Sequence, residues 1–379
     1  MKRIILVTST VLLVFAIIFG GCAKPAEEAP TTPTVPTEPT APTAPVKRIE
    51  WRYESFVPPF DCFSVDAVDW ADDLEEATGG RMRITFYFAE SLVKMVGEFD
   101  AVASGTCDMG TPSCSMTPER LPLGTAAPGI LFAYTHQTQE GKTFVDLVNK
   151  YKEFRDELLP TRVAWWQAPP PDNLIISTKK QVKTMEDLKG MKIRMTAPEL
   201  IKAYKLLGAV PTTIAVPELY HALETGVVDA SSSEPNELYL WKNYETTKYR
   251  TVTGGTRGRG FPTLVNIESY NKLPEDVRRI FDEQTDMLER TISINEGHER
   301  FIQESLQKVL EYDKKVGNPP WYVLPEAERE RWKQVCQPVN EETIKWLEAK
   351  GLPGRAFVED AIALAKQYLN PAFLELKYE

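Results

Sequence analysis

Asp187-Leu188-Lys189-Gly190-Met191-Lys192-Ile193-Arg194 opens the stretch that decides the fold of this 379-residue chain. The stretch runs on through Leu207-Gly208-Ala209-Val210-Pro211 and Pro217-Glu218-Leu219-Tyr220. It closes on Ala222-Leu223-Glu224-Thr225-Gly226-Val227-Val228-Asp229. Gly190 ends a turn, and residues 191–195 read as a short strand that delivers Arg194 to its carboxyl end. Pro198 then suits the first position of a helix, where its missing N–H costs nothing. In open α/β sheets, ligands sit beyond the carboxyl ends of strands. A guanidinium there, beside a helix N-terminus, is prepared for a carboxylate.

Outward from this stretch, strand and helix patterns alternate. A strand is expected near Ile49–Ser55, then a helix over 64–78 with Ser64 as its cap and Gly79-Gly80 as its stop. Strands over 81–88 and 107–110 flank a helix over 98–104. Such alternation implies mostly parallel sheets covered by helices. Residues 99–108 repeat the pattern of 220–229: an aromatic, Ala, an aliphatic, then Gly and Asp in register. Each copy reads as a helix end with a glycine C-cap leading into a buried strand, so two similar units are expected. The strand Thr161–Gln167 is expected to cross from one unit to the other, a strand over 174–178 follows, and the return lies near 248–255. After Pro274 one long amphipathic helix is expected to about Val316. Helices over 325–350, with Pro338 inside, and 355–369 follow it.

Three pieces in register, DLKGMKIR (187–194), LGAVPT (207–212) and ELYHALETGVVDA (218–230), resemble the solute-binding subunits of TRAP transporters (tripartite ATP-independent periplasmic, DctP type). The resemblance continues towards the C-terminus. It implies an α/β, two-lobed periplasmic-binding-protein-like fold, each lobe a mostly parallel sheet flanked by helices, with a long bracing helix. Lobe I is expected to take 48–166 and about 254–285, and lobe II 167–253 and about 286–379 with the C-terminal helices. The implied function is capture of a small organic carboxylate in an interlobe cleft and delivery to the membrane subunits of a TRAP permease. The rival readings are a sensor ectodomain with the same closing lobes, and an extracellular carboxylate-processing enzyme. Against an enzyme, the chain has no Gly-x-Ser-x-Gly elbow and no His-Glu-x-x-His.

The N-terminus bears on the compartment. Lys2 and Arg3 precede an apolar run from Ile4 to Phe19 and then Gly20-Gly21-Cys22, the form of a secretory signal. Small residues before the cysteine indicate a lipoprotein with Cys22 as the lipid attachment; an ordinary signal peptide or a retained anchor is the alternative. The expected location is extracytoplasmic, on the periplasmic or outer face of the bacterial cytoplasmic membrane. Residues 23–47 carry a proline at every third position from Pro30 to Pro45, matching the three-residue turn of polyproline II. At about 3.1 Å per residue such a tether reaches roughly 70 Å.

A net charge of −10 argues against nucleic acid and anionic membrane surfaces as partners. Cys62, Cys107, Cys114 and Cys336 leave disulfide pairing open, Cys62–Cys114 and Cys107–Cys114 being the candidates. His136, His221 and His298 are too few and too scattered for a metal centre. No cofactor is expected, apart from a Na⁺ ion that could accompany the substrate. A monomer is expected.

Arg194 heads the candidate substrate-binding residues, because a planar guanidinium holds a carboxylate with two parallel bonds. Asn173 is expected on the next strand and can offer its amide to the same carboxylate, or simply form a turn. Ser231-Ser232-Ser233-Glu234-Pro235-Asn236 is expected as a loop after a strand ending at Asp229. In it, Glu234 can take a hydroxyl, an amine or Na⁺, and Asn236 joins the set with Ser113. Trp165 and Trp166 alternate on the crossing strand, so one is expected in the cleft, and Trp166 is the candidate. Phe60 and Phe261 are aromatic wall candidates beside Phe56 and Trp241. Arg257 and Arg259 read either as further cations of the site or as an exposed loop. Glu218, His221 and Glu224 read as a solvated helix face, since a dimetal bundle needs a second such motif.

Overall fold

The structure, a computed structural model, describes residues 48–171 and 173–369. The signal segment 1–22 with Cys22, the tether 23–47 and residues 370–379 lie outside the described residues. The described chain begins with β1 (Ile49–Ser55), α1 (Cys62–Ala77), β2 (Met82–Phe88), α2 (Glu98–Ala103) and β3 (Met109–Gly110). Ser64 is not the cap of α1. Asp61 holds that place, its carboxylate accepting from Phe63 N at 3.1 Å, so the helix starts two residues early and Ser64 is buried in its first turn. Then come α3 (Pro122–Gly129), α4 (Gln137–Lys150), α5 (Lys152–Glu157) and β4 (Thr161–Gln167).

The chain next enters its second half with β5 (Leu174–Ser177), β6 (Lys192–Arg194), α6 (Pro198–Leu206), β7 (Val210–Thr212) and α7 (Val216–Glu224). It continues through β8 (Ala230–Ser233), α8 (Pro235–Leu240) and β9 (Tyr249–Val252). It returns with β10 (Phe261–Asn266), α9 (Ile267–Asn271) and α10 (Glu275–Gln284). The last elements are α11 (Met287–Val316), β11 (Tyr322–Val323), α12 (Glu326–Ala349) and α13 (Gly354–Gln367).

Two sheets result, ordered β2-β1-β3-β10-β4 and β11-β9-β5-β8-β6-β7. β1 pairs in parallel with β2 and β3, and β6 with β7 and β8. One strand in each sheet runs the other way: β10 against β3 and β4, and β5 against β8 and β9. Each reversed strand is the first after a change of lobe. The two-lobed α/β expectation therefore holds, with mixed sheets whose antiparallel pairs mark the crossings.

β4 lies between two apolar layers. Trp165 packs with Trp51, Trp70 and Phe281, whereas Trp166 packs with Phe144, Phe154 and Phe357. Phe357 comes from α13, whose Val358, Ala361 and Ala365 join the same first-lobe core; the C-terminal helix was expected in lobe II and sits on lobe I instead. α12 spans the junction, with Trp332 and Val339 in a second-lobe core and Leu347 in the first-lobe core. Pro338 sits inside this helix without breaking it.

The long helix expected after Pro274 is two helices, because Asp286 accepts from Leu288 N and Glu289 N and restarts the chain as α11. Its 30 residues bury Ile294, His298, Ile302, Leu306 and Val309 along one face. Ile294 enters the first-lobe core and Leu306 and Val309 the second, so α11 braces both lobes. Gly317, at φ 74°, ends it in the left-handed conformation. All four described cysteines are buried free thiols, so neither expected disulfide forms.

Candidate functional site

β6 ends on Arg194, which registers with Thr212 of β7 and Ser231 of β8. The parallel neighbours β6, β7 and β8 are each followed by a helix with proline at its first or second position: Pro198, Pro217 and Pro235. Three helix N-termini therefore gather at the same sheet edge, where their unbonded N–H groups favour negative charge. Arg194 is held there from two sides. Its Nε donates to Ile214 O at 3.0 Å, and its Nη1 to Glu237 Oε1 at 3.1 Å. Arg194 is 4% exposed and Glu237 8%.

The serine run is strand rather than loop, since β8 covers Ala230–Ser233 and pairs with β5 on one side and β6 on the other. The chain leaves the sheet at Glu234, which is buried and pairs with Arg259 Nη1 at 2.6 Å. Asn236 is buried beside it, its Nδ2 donating to Glu234 Oε1 at 3.4 Å. Asn173 precedes β5 at the same edge. Its backbone oxygen accepts from Thr253 N at 2.7 Å, and its side-chain Oδ1 is buried without a hydrogen-bond partner among the described residues.

Arg257 and Arg259 are not an exposed loop. Arg257 Nε lies 3.5 Å from Glu199 Oε2, and the whole segment packs against α4 of the first lobe. There Glu140 is buried, and its Oε1 accepts from Gly260 N at 2.6 Å. Burial pushes the Glu140 carboxyl up to about 8, even though that bond and both arginines pull it down. A Cβ at Gly260 would lie 2.1 Å from Phe144 Cε2, so only glycine allows this approach.

In the first lobe the candidate residues lie in the loop after β1, after β3 and at the start of β10. Phe60 is 63% exposed. Phe261 packs at 5.3 Å from Phe56 and 5.7 Å from Phe63. Phe63 in turn meets the ring of His298 at 4.8 Å. His298 Nε2 lies 3.0 Å from Asp66 Oδ2, and its Nδ1 is 3.2 Å from Ala168 O, tying α11 to α1 and to the crossing. Burial raises the Asp61 carboxyl, opposed by the bond it accepts from Phe63 N and by nearby His298 and Arg259. Ser113 is buried with its hydroxyl 2.9 Å from that of Ser115.

Trp166 does not line the cleft: it is fully buried, its ring 5.0 Å from Phe144. Both tryptophans of β4 are core, because both faces of the sheet are covered. His221 is 78% side-chain exposed and lies 3.4 Å from Glu224, a solvated helix face. Among the described residues, no group of three or more His, Cys, Asp or Glu is placed to hold a metal ion, and no helix is long and apolar enough to cross a membrane. Depressions of about 1070 and 470 Å³ lie elsewhere, against α10 and between α4 and α13. Glu237 and the Glu140 clamp went unread in the sequence. Glu237 looks like any acid in a helix first turn, and Glu140 lies far along the chain from Gly260, whose N–H donates to it.

The sequence model of the family described as bacterial extracellular solute-binding protein, family 7 (DctP) matches residues 55–345. The C4-dicarboxylate-binding periplasmic protein DctP of Rhodobacter capsulatus is 29% identical over 279 residues, covering 71% of this chain and 78% of the relative. The C4-dicarboxylate-binding protein DctB of Bacillus subtilis is 25% identical over 307 residues, covering 78% and 81%. Among solved structures, a TRAP periplasmic solute-binding protein of Desulfovibrio salexigens superposes with a TM-score of 0.75 at 25% identity, covering 84% of this chain and 96% of that one. A TRAP solute-binding protein of Rhodoferax ferrireducens, solved with benzoate, shares the fold with a TM-score of 0.73 at 22% identity, covering 84% and 98%.

Proposed function

This chain belongs to the bacterial extracellular solute-binding protein family 7, as a solute-binding protein of the TRAP type, and from that premise we propose that it captures a small organic carboxylate on Arg194. One observation carries the reading. Arg194 is a buried guanidinium at the carboxyl end of a strand, oriented through Nε by a backbone oxygen and set among helix N-termini. Fixing Nε in this way sets the plane of the guanidinium before a ligand arrives, which lowers the ordering cost of binding. The relatives from Rhodobacter capsulatus and Bacillus subtilis bind dicarboxylates, in keeping with a carboxylate ligand. The family is one of binding proteins, not enzymes.

Asn173, Glu234 and Asn236 form the second-lobe wall, with Arg259 of the second crossing paired to Glu234; Phe60, Ser113 and Phe261 form the facing wall. Closure of the lobes about β4–β5 and β9–β10 sequesters the ligand, and the closed form hands it to TRAP permease subunits. Cys22 anchors the protein by a lipid, residues 23–47 serve as the tether, and the protein acts as a monomer. A Na⁺ ion beside Glu234 belongs to the same proposal.

A thermal-shift screen of the chain against small carboxylates, keto acids, aromatic acids and sugars, with and without Na⁺, tests it. A carboxylate at about 100 times its dissociation constant adds roughly 2.7 kcal/mol of stability. Stabilisation by uncharged sugars alone would remove Arg194 from the centre of the site.

A further inference from the structure

Arg194 of the second lobe and both arginines of the second crossing already hold a carboxylate of their own chain. Arg194 faces Glu237, Arg259 faces Glu234, and Arg257 faces Glu199. None of these guanidinium groups therefore meets a ligand without a carboxylate already beside it. A bare carboxylate placed on Arg194 would put two carboxylates on one buried guanidinium, and like charges in such a site disfavour one another.

The hydrogen-bond inventory points the same way. Asn173 Oδ1 and Asn236 Oδ1 in the second lobe, and Gln167 Oε1 at the end of β4, are buried with no hydrogen-bond partner among the described residues. All three are acceptors. For Asn236 the amide orientation is fixed, because its Nδ2 donates to Glu234. A ligand that satisfies these atoms brings donors as well as a carboxylate.

We propose that the ligand is a zwitterion, its carboxylate sharing Arg194 and its cationic nitrogen taken by Glu237 together with the amide oxygens of Asn173 and Asn236. This rests on the reading of Arg194 as the carboxylate site and narrows it to one substrate class. Glu237 is then the residue that sets specificity: it repels acids that lack the nitrogen and attracts those that carry it.

Matched pairs of near-isosteric compounds separate the two classes by calorimetric titration of the full chain. Suitable pairs, each with an N–H-bearing cation in one member, are γ-aminobutyrate and pentanoate, and L-proline and cyclopentanecarboxylate. The wild-type chain binds the nitrogen-bearing member at least about tenfold more tightly in any pair it accepts. Glu237→Gln loses that preference, weakening the zwitterion and strengthening the bare acid. Equal or tighter binding of the bare acids by the wild type overturns the proposal. So does a Glu237→Gln variant that weakens both members alike, which marks a merely structural acid. If that variant does not fold, the wild-type ranking within the pairs decides alone. Any bound member of either series whose affinity Arg194→Ala leaves unchanged overturns instead the carboxylate reading beneath it.

Discussion

The Arg194 guanidinium meets the Glu237 carboxylate at 3.1 Å, with both side chains closed off from solvent, and so joins the end of β6 to the start of α8. Removing one member of a buried pair strands the other in a poorly solvating place. Arg194→Ala is expected to cost about 3–5 kcal/mol of stability, read by urea unfolding. Arg194→Lys keeps the charge and should cost less, while losing the fork that holds a carboxylate. Equal losses of stability in the two variants would contradict the ion-pair account.

A second buried pair fixes the brace to the second sheet. Arg250 of β9 is fully buried and donates to Asp313 of α11 at 3.1 Å; Asp313 also accepts from Trp321 and Asn318. Burial lowers the Arg250 guanidinium to about 10, with Asp313 pulling the other way. Arg250→Met is expected to destabilise the protein by about 3–5 kcal/mol. A loss under 1 kcal/mol in denaturant unfolding would show that the helix is held by its apolar face alone.

Glu140 gives a pH dependence with a definite sign. Its carboxyl titrates at about 8 in the folded protein, raised first of all by burial, against an ordinary value of 4.5. The folded state therefore keeps the proton where the unfolded chain has lost it. Stability from this group is full below the ordinary value and declines as pH rises from there through about 8. Glu140→Gln removes the titration and keeps an oxygen to accept from Gly260 N. The difference in Tm between variant and wild type should therefore shift in favour of the variant between pH 5 and pH 8. A pH-independent difference would refute the assignment.

Gly260 at the second crossing and Gly97 before α2 differ sharply in what they permit. A Cβ on Gly260 would meet Phe144 Cε2 at 2.1 Å, whereas one on Gly97 would meet nothing within 4 Å. Overpacking of this kind costs typically about 1–3 kcal/mol, so Gly260→Ala should destabilise the protein by that amount. Gly97→Ala should be neutral or slightly stabilising, since it restricts only the unfolded chain. Comparable Tm values for the two variants would contradict the packing described between α4 and the crossing.

How far the chain can be read from its sequence depends on how local each signal is. β1, β4, β6, α6 and α7 are set by alternation, proline starts and glycine stops within a dozen residues, and they lie close to where those signals place them. Arg194 was legible for the same reason, because its position follows from one short strand and one proline. Signals that require knowledge of a distant partner were not legible. Trp166 alternates correctly but is buried, because α4, α5 and α13 cover the face it points to. The break at Asp286 interrupts an apolar pattern that continues on both sides, and only the carboxylate's bonds to Leu288 N and Glu289 N reveal it. Glu237 and Glu140 carry no sequence mark of their own; one is defined by Arg194 and the other by the Gly260 N–H that folding brings to it.

The central claim is that Arg194 holds the ligand's carboxylate. Calorimetric titration of the full chain with its best-stabilising carboxylate, repeated on Arg194→Ala and Arg194→Lys, tests it most directly. Two charge-assisted bonds at roughly 1.5–3 kcal/mol each predict a loss of about 100-fold or more for Arg194→Ala, and a smaller but clear loss for Arg194→Lys. Folded variants that bind with wild-type affinity would contradict the account.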